Sequence, residues 1–223
     1  MEIFALTLRS KTVVKQYTGY RYERELMAEI LVAIENKDTA CLDWFNGFGD
    51  SLRAILMNVH AYRKGLEFGF TDIAFDKYGW FVRPQFLDYE VIKVGNSERY
   101  GEYSEIRIGR GPNGIWSYAL SYSFGCEGGG SALSVYDPHF PGRDAALSDA
   151  LAKLKKMFNA KIGSSDTTNH KQDIILKTLK AISALEVSRV QLALFSTFLN
   201  VIEPFPQSHS RPGSADTRLV LKT

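Results

Sequence analysis

The chain has 223 residues, of which 45% are hydrophobic and 23% are charged, and its formal net charge is +2. This composition is that of a globular protein and excludes a chain that is disordered throughout, and the length fits one large domain or a domain with a smaller helical extension. No apolar run reaches the roughly 18 residues that span a bilayer, and the first residues lack the pattern of a secretory signal. We therefore expect a cytoplasmic protein that makes no contact with a membrane.

The first part of the chain is predicted to be mostly helical. Residues 3–8 alternate in the manner of a short strand, whereas residues 21–34 place apolar side chains at helical spacing. A short helix is expected to end at Gly47. A longer helix is expected to begin after Asp50 as its cap and to run to Gly65. These segments form a predicted N-terminal helical layer.

The middle of the chain has the period of strands. Residues 67–84 predict a hairpin, and further strands are predicted over 89–94, 103–108 and 115–124. In the last of these, bulky and small side chains alternate. The bulky side chains of one face are Trp116, Tyr118, Leu120, Tyr122 and Phe124. This row has two interpretations, a platform on which bases stack and the core face of a sheet beneath a helix, and the second is the more common.

A glycine-rich segment follows this strand, with glycines at 125 and 128–130. Neither the glycine spacing of a phosphate-binding loop nor the helix that such a loop opens is present. We therefore expect a broad hairpin connection with positive φ angles, leading into a strand over 131–136. The alternative is a place where the backbone comes close to a ligand. Residues 144–158 then predict a helix that covers the aromatic strand.

The end of the chain is predicted to be a separate helical part. Residues 159–170 are polar, like a linker between domains. Residues 171–202 are helical in pattern, as one helix or two, and the proline-rich tail 203–223 is predicted to be flexible. An apolar helix after a linker must bury its face on the body or on another subunit, so we expect it to bind a protein partner or a second copy. The candidate partner-binding residues are Val190, Leu194, Phe198 and Ile202.

The predicted fold class is therefore α+β. A central antiparallel sheet carries the aromatic strand, helices pack on one face of this sheet, and a C-terminal helical extension follows the linker. The body is predicted to span residues 1–158 and to contain a β-β-β-α unit at 103–158.

Charge is distributed unevenly along the chain. Residues 1–150 hold 16 Lys and Arg against 20 Asp and Glu, whereas residues 151–190 hold eight Lys and Arg against three Asp and Glu. The local excess is a candidate footprint for nucleic acid, and the alternative is a solvated helix face. The candidate nucleic-acid-binding residues are Arg107, Arg110, Arg143, Lys153, Lys155 and Lys156.

Patterns that would indicate catalysis, a metal or a cofactor are weak. The two cysteines and four histidines do not have the spacing of a structural metal site. A serine nucleophile elbow and a dinucleotide fingerprint are missing from the sequence. We predict no catalytic residues, no bound metal and no cofactor. The alternative is a metal-dependent nuclease in which Asp72, Asp76 and Glu90 supply carboxylates for a hard cation.

Residues 114–154 carry a resemblance to known proteins. The features are Trp116 on its strand, the "GGGS" at 128–131, and the "FPGR" corner at 140–143 followed by a helix. This run resembles a small β-β-β-α segment of bacterial phage and plasmid proteins that is sometimes found beside ParB-like or DNA-methylase modules. The resemblance implies a mobile-element origin and work near DNA, and it carries no catalytic residues across.

Three functional hypotheses follow from the sequence. The first is a non-enzymatic accessory protein of a bacterial mobile element that binds nucleic acid. The second is a protein-interaction, inhibitor or immunity-type module that docks through its C-terminal helix. The third is the metal-dependent nuclease.

Overall fold

A computed structural model describes residues 4–201, and for residue 190 and residues 192–201 it describes the backbone alone. The chain divides into two compact units, Met1–Glu186 and Val187–Thr223. This division lies later in the chain than the predicted linker at 159–170. The predicted tail 203–223 lies outside the described residues.

Four helices form the N-terminal layer, and the predicted helices over 21–34 and up to Gly47 are confirmed. Their bounds are α1 (Lys11–Gln16), α2 (Arg21–Glu35), α3 (Thr39–Asn46) and α4 (Leu52–Glu67). The cap of α4 is Ser51 instead of Asp50, because the Ser51 hydroxyl accepts a hydrogen bond from the Ala54 amide at 3.2 Å. The helix also continues two residues past Gly65, since a glycine in the helical conformation does not end a helix.

The strand predicted over residues 3–8 is wrong for its described part. The backbone of Leu6 pairs with the side chain of Asn46, whose Oδ1 accepts from the Leu6 amide at 2.7 Å and whose Nδ2 donates to the Leu6 carbonyl at 3.0 Å. One side-chain amide thus takes the place of a neighbouring strand. Leu6 is buried in the core of the helical layer, together with residues of α2, α3 and α4.

The hairpin predicted over 67–84 is reduced to a single bridge between Phe75 and Phe81. Its turn is closed by Asp76, whose Oδ1 accepts from the amides of Tyr78 and Trp80 at 2.8 and 3.0 Å. The side chain of Asp76 therefore serves the turn.

The sheet has four antiparallel strands in the order β1-β2-β3-β4. The strands are β1 (Leu87–Gly95), β2 (Tyr103–Arg110), β3 (Trp116–Ser123) and β4 (Gly128–Gly130). The first three correspond to predicted strands. Together with the helices they make the fold class α+β, as the sequence predicts.

The glycine segment is the main correction to the predicted sheet. Gly128, Gly129 and Gly130 form β4 itself, paired with Ser123, Tyr122 and Ser121 of β3. Of the four glycines in this segment, only Gly125 has a positive φ, at 116°. Residues 131–136 form no strand. The glycines are required by close approach to β3, since a Cβ on Gly130 would lie 2.7 Å from the Ser121 Cα.

Two helices, α5 (Arg143–Asn159) and α6 (Gln172–Val201), follow the sheet. Helix α5 contacts β2 and β3. The first half of α6 belongs to the same core, which includes Ile175 and Ile182. Tyr118 and Phe124 of the bulky row are buried in that core, so the core interpretation of this row is confirmed. Within the predicted segment 171–202, α6 is one helix over Gln172–Val201, and residue 202 lies outside the described residues. Within the described residues, no helix combines the length and the apolar character needed to cross a membrane.

Among the residues that the structure describes, those that cover the opposite face of the sheet lie at one end of it. There, Phe68, Phe86 and Val135 form a small buried cluster between the end of α4 and the sheet. Gly109 of β2 permits this packing, because a Cβ at this position would lie 2.7 Å from the Cβ of Phe86. The rest of this face is open, and we call it the open face.

Candidate nucleic-acid interface

Three of the predicted nucleic-acid-binding residues are arginines, and each is bound to a carboxylate. Arg110 Nε lies 2.7 Å from a carboxylate oxygen of Asp88, and Arg143 Nε lies 2.6 Å from one of Glu90. The bond to Glu90 raises the pKa of Arg143. Arg107 is bound to Glu105. Because a carboxylate already compensates each guanidinium, these three arginines are expected to bind a phosphate more weakly than three unpaired arginines would.

The three predicted lysines of α5 have different surroundings. Lys155 Nζ lies 2.6 Å from Glu186 Oε2, and Lys153 Nζ lies 5.9 Å from the centre of the Tyr118 ring. Lys156 is exposed and forms no ion pair with a described residue. Helix α5 covers one face of the sheet whereas Arg107 points to the other, so the structure does not bring the six predicted residues together on one surface.

An open groove of about 510 Å³ runs along the open face. Strand alternation builds it, because the residues of β2 and β3 that do not face the helices point into it. Ser121 and Ser123 of β3 and the glycines of β4 make its floor, and Tyr100 and Tyr103 line one end. Side chains this small keep the floor shallow, so that a flat ligand can approach the sheet.

Aromatic rings and cations alternate at this end of the groove. Tyr100 follows β1 in the loop to β2, and its side chain is 98% exposed. Tyr103 begins β2, and the ammonium group of Lys93 lies 4.6 Å from the centre of its ring. Tyr89 is also exposed, but it lies toward the opposite end of β1, since its neighbour Glu90 pairs with Ile108 whereas Gly95 pairs with Tyr103. Arg99 is also exposed and pairs with Glu102 at 3.0 Å. This combination of rings and cations suits the stacking of bases beside a phosphate backbone.

Arg107 is held in place at the floor of the groove. Its guanidinium donates to the carboxylate of Glu105 and to the hydroxyl of Ser121, which are neighbours across β2 and β3, and to the Ser131 carbonyl at 3.1 Å. Five N–H donors in a rigid plane allow such a group to bind several acceptors at once. The groove thus carries a fixed and largely neutral pair at its floor.

A cluster around His170 holds the loop that follows β3, next to the end of the groove that Tyr100 and Tyr103 line. The His170 ring is buried, with Nε2 2.7 Å from Glu127 Oε2 and Nδ1 2.7 Å from the hydroxyl of Ser164. Lys161 Nζ also lies 3.2 Å from Glu127. Hydrogen bonds from His170 and Lys161 lower the pKa of Glu127, which keeps this carboxylate ionised. The segment 159–170 is thereby bound to the loop between β3 and β4.

The carboxylates of the nuclease hypothesis have separate surroundings. Glu90 binds Arg143, Asp76 closes its turn, and Asp72 is exposed. Among the described residues, no three side chains of the His, Cys, Asp and Glu types converge on a metal site. The structure therefore does not bring these three carboxylates together at one site among the described residues. Of the predicted partner-binding residues, Ile202 and the side chains of Val190, Leu194 and Phe198 lie outside the described part of the chain.

Of the residues that line the groove, the sequence analysis considered Arg107, Tyr122 and the glycine segment, and it missed Tyr100 and Tyr103. Tyr100 stands in a loop where no motif singles it out. The alternation of β2 is the signal that finds Tyr103, since Ser104, Ile106 and Ile108 are buried and the residues that alternate with them must point to the other face.

Comparison with known proteins adds no function. The chain matches no family model, no curated protein and no solved structure.

Proposed function

We propose that this protein is a non-enzymatic accessory protein that binds single-stranded nucleic acid in the groove of the open face. The observation that carries the proposal is the placement of Lys93 over the ring of Tyr103, beside the fully exposed Tyr100. Its setting in a bacterial mobile element is proposed from the resemblance of residues 114–154 alone.

Stacking supplies most of the expected affinity. A base stacked on an aromatic side chain contributes about 1–3 kcal/mol, as measured by alanine substitution, and every base has a flat face that can stack. Tyr100 and Tyr103 therefore provide two stacking positions without a preference for sequence. A duplex keeps its bases stacked inside the helix, so the same rings offer it much less.

Phosphate contacts make a smaller contribution. Lys93 is the cation at the ring of Tyr103, whereas Arg99 is exposed but paired with Glu102 and Arg107 is paired with Glu105. With two or three phosphates contacted, the logarithm of the binding constant is expected to fall with the logarithm of the salt concentration with a slope of roughly −2. A slope of this size is much shallower than that of a protein with a continuous basic surface.

The experiment is fluorescence anisotropy of labelled single-stranded and double-stranded DNA and RNA, titrated with the full chain across a salt series. We expect Tyr100→Ala to weaken single-strand binding about fivefold or more, because one stacking contact is lost. Tyr78→Ala is the matched control, since Tyr78 is exposed and carries Lys77 at 4.9 Å from its ring, and it lies in the 75–81 turn.

A second variant, Lys153→Ala with Lys156→Ala, separates the two faces of the sheet. If the groove is the interface, the affinity of this variant for a single strand should be within about twofold of that of the unaltered protein. Binding that survives Tyr100→Ala and is lost in the double lysine variant would assign the interface to α5 and contradict the groove. Failure to bind any single strand at low salt would refute the proposed function.

A further inference from the structure

A second, more enclosed cavity lies between α4 and two loops, and it shares no lining residue with the groove. Its volume is about 220 Å³. Met57 and Ala61 of α4 form one wall, Phe81 and Pro84 form the second, and Leu133 and Val135 form the third. An apolar cavity of about 150 Å³ is already large enough to hold a benzene ring. This cavity therefore has room for a single ring with a small substituent.

The walls are fixed by hydrogen bonds within the protein. Asn58 of α4 donates to the Gly79 carbonyl at 2.8 Å and accepts from the Phe81 amide at 3.0 Å, so it attaches the turn to the helix. In the third wall, Asp137 accepts from the Ser134 amide at 2.7 Å and from its hydroxyl at 3.1 Å. A cavity whose walls are set in this way exists before a ligand arrives, which lowers the entropic cost of binding.

Arg83 is the charged residue of the lining. No carboxylate of the described residues lies within ion-pair distance of its guanidinium, in contrast to Arg107, Arg110 and Arg143. A guanidinium presents parallel N–H donors that match a carboxylate in a two-pronged geometry. Arg83 thus presents a guanidinium without a carboxylate partner among the described residues, at the edge of an apolar cavity.

The aromatic stack beside the cavity is neutral. Tyr136 lines the cavity and stacks on His60 at 5.4 Å between ring centres, and His60 stacks in turn on Tyr22 at 4.1 Å. Burial lowers the pKa of His60 and raises the pKa of Tyr136, so both rings are uncharged at neutral pH. The positive charge of Arg83 is therefore not offset by a charged neighbour in this stack.

We propose that this cavity binds a small aromatic carboxylate, with the ring between Met57, Phe81 and Val135 and the carboxylate on Arg83. The walls select a ring because they are apolar and fixed, and the volume admits one ring. The unpaired guanidinium selects an anion. This binding site is independent of the nucleic-acid groove.

The test uses benzoate and its uncharged analogue benzyl alcohol as probes, with the full chain, by saturation-transfer NMR and calorimetry. We expect benzoate to bind about threefold more tightly than benzyl alcohol, because a charge pair with the exposed Arg83 adds to the same burial of the ring. Arg83→Met should remove this preference and leave the affinity for benzyl alcohol within about twofold. Lys77→Met is the matched control and should change neither.

A filling variant tests the location of the ring. Ala61→Leu should weaken both probes about tenfold, since the added side chain takes the space of the ring, and a thermal melt shows that the variant folds. Equal affinity of the two probes for the unaltered protein, or an unchanged preference in Arg83→Met, would overturn the assignment. The absence of saturable binding of benzoate to the folded protein would overturn it as well.

Discussion

Gly130→Ala is the substitution whose effect the structure defines most closely. A Cβ at this position would lie 2.1 Å from Ser121 Oγ and 2.7 Å from both the Cα and the Cβ of Ser121. The hydroxyl can rotate away, but the Cα cannot, so β4 must move by about half an ångström or more away from β3. Overpacking of this kind costs about 1–3 kcal/mol. For a unit of this size, that cost lowers the melting temperature by roughly 2–4 °C for each kcal/mol.

The assay combines a calorimetric melt with amide hydrogen exchange. We expect a lower melting temperature and faster exchange of the Ser131 amide, which donates to the Leu120 carbonyl at 3.2 Å beside the pairing of β3 with β4. Gly65→Ala is the control, and it is expected to change the stability in the opposite direction. Its Cβ would meet Phe70 at an ordinary 3.6 Å inside α4, so alanine should stabilise by up to about 1 kcal/mol. Unchanged melting and exchange in Gly130→Ala would refute the close-approach argument.

Two further predictions concern side chains that hold the sheet and its helices. Tyr118→Phe removes the hydroxyl that donates to Asp149 at 2.6 Å. Because Asp149 is exposed and regains a hydrogen bond to water, we expect the free energy of unfolding in urea to fall by about 1 kcal/mol. The control Tyr100→Phe should lower it by no more than about half of this. The lowered pKa of Glu127 means that its bond to His170 stabilises the fold above the ordinary carboxyl pKa and that this stability is lost as the pH falls through the lowered value. Glu127→Gln should therefore flatten the acid side of a plot of melting temperature against pH, and an acid side as steep as that of the unaltered protein would contradict the role of this bond.

The elements that could be predicted are those whose sequence period is long and regular. Helix α2 shows apolar residues at helical spacing over four turns, and β3 alternates over its whole length, so both were found close to their bounds. The strand predicted near Leu6 failed for a different reason. Its alternation is real, but its partner is the side chain of Asn46, some 40 residues away. No local pattern records a partner that far along the chain.

The glycines of the candidate site also depend on a partner that no local sequence pattern records. A run of glycines predicts backbone freedom, whereas in β4 the glycines are needed because a neighbouring strand leaves no space for a Cβ. Such a requirement depends on Ser121, which precedes the run by seven residues and belongs to another strand. The sequence shows that small residues occur at 128–130, but only the folded structure shows that they pack against β3.

The packing of the helices also determines which face of the sheet is available to a ligand. Helices α5 and α6 bury the bulky side of β3, so the large rings of that strand are used for stability. The opposite side of β3 carries serines, and the rings available to a ligand in the groove come instead from Tyr103 at the start of β2 and from Tyr100 in the loop before it. An aromatic row in a sequence is thus a weak indicator of a stacking surface, because the strongest row is the one that the core requires. Rings beside small residues on the open face are the better indicator, and in this chain they are Tyr100 and Tyr103 at the groove.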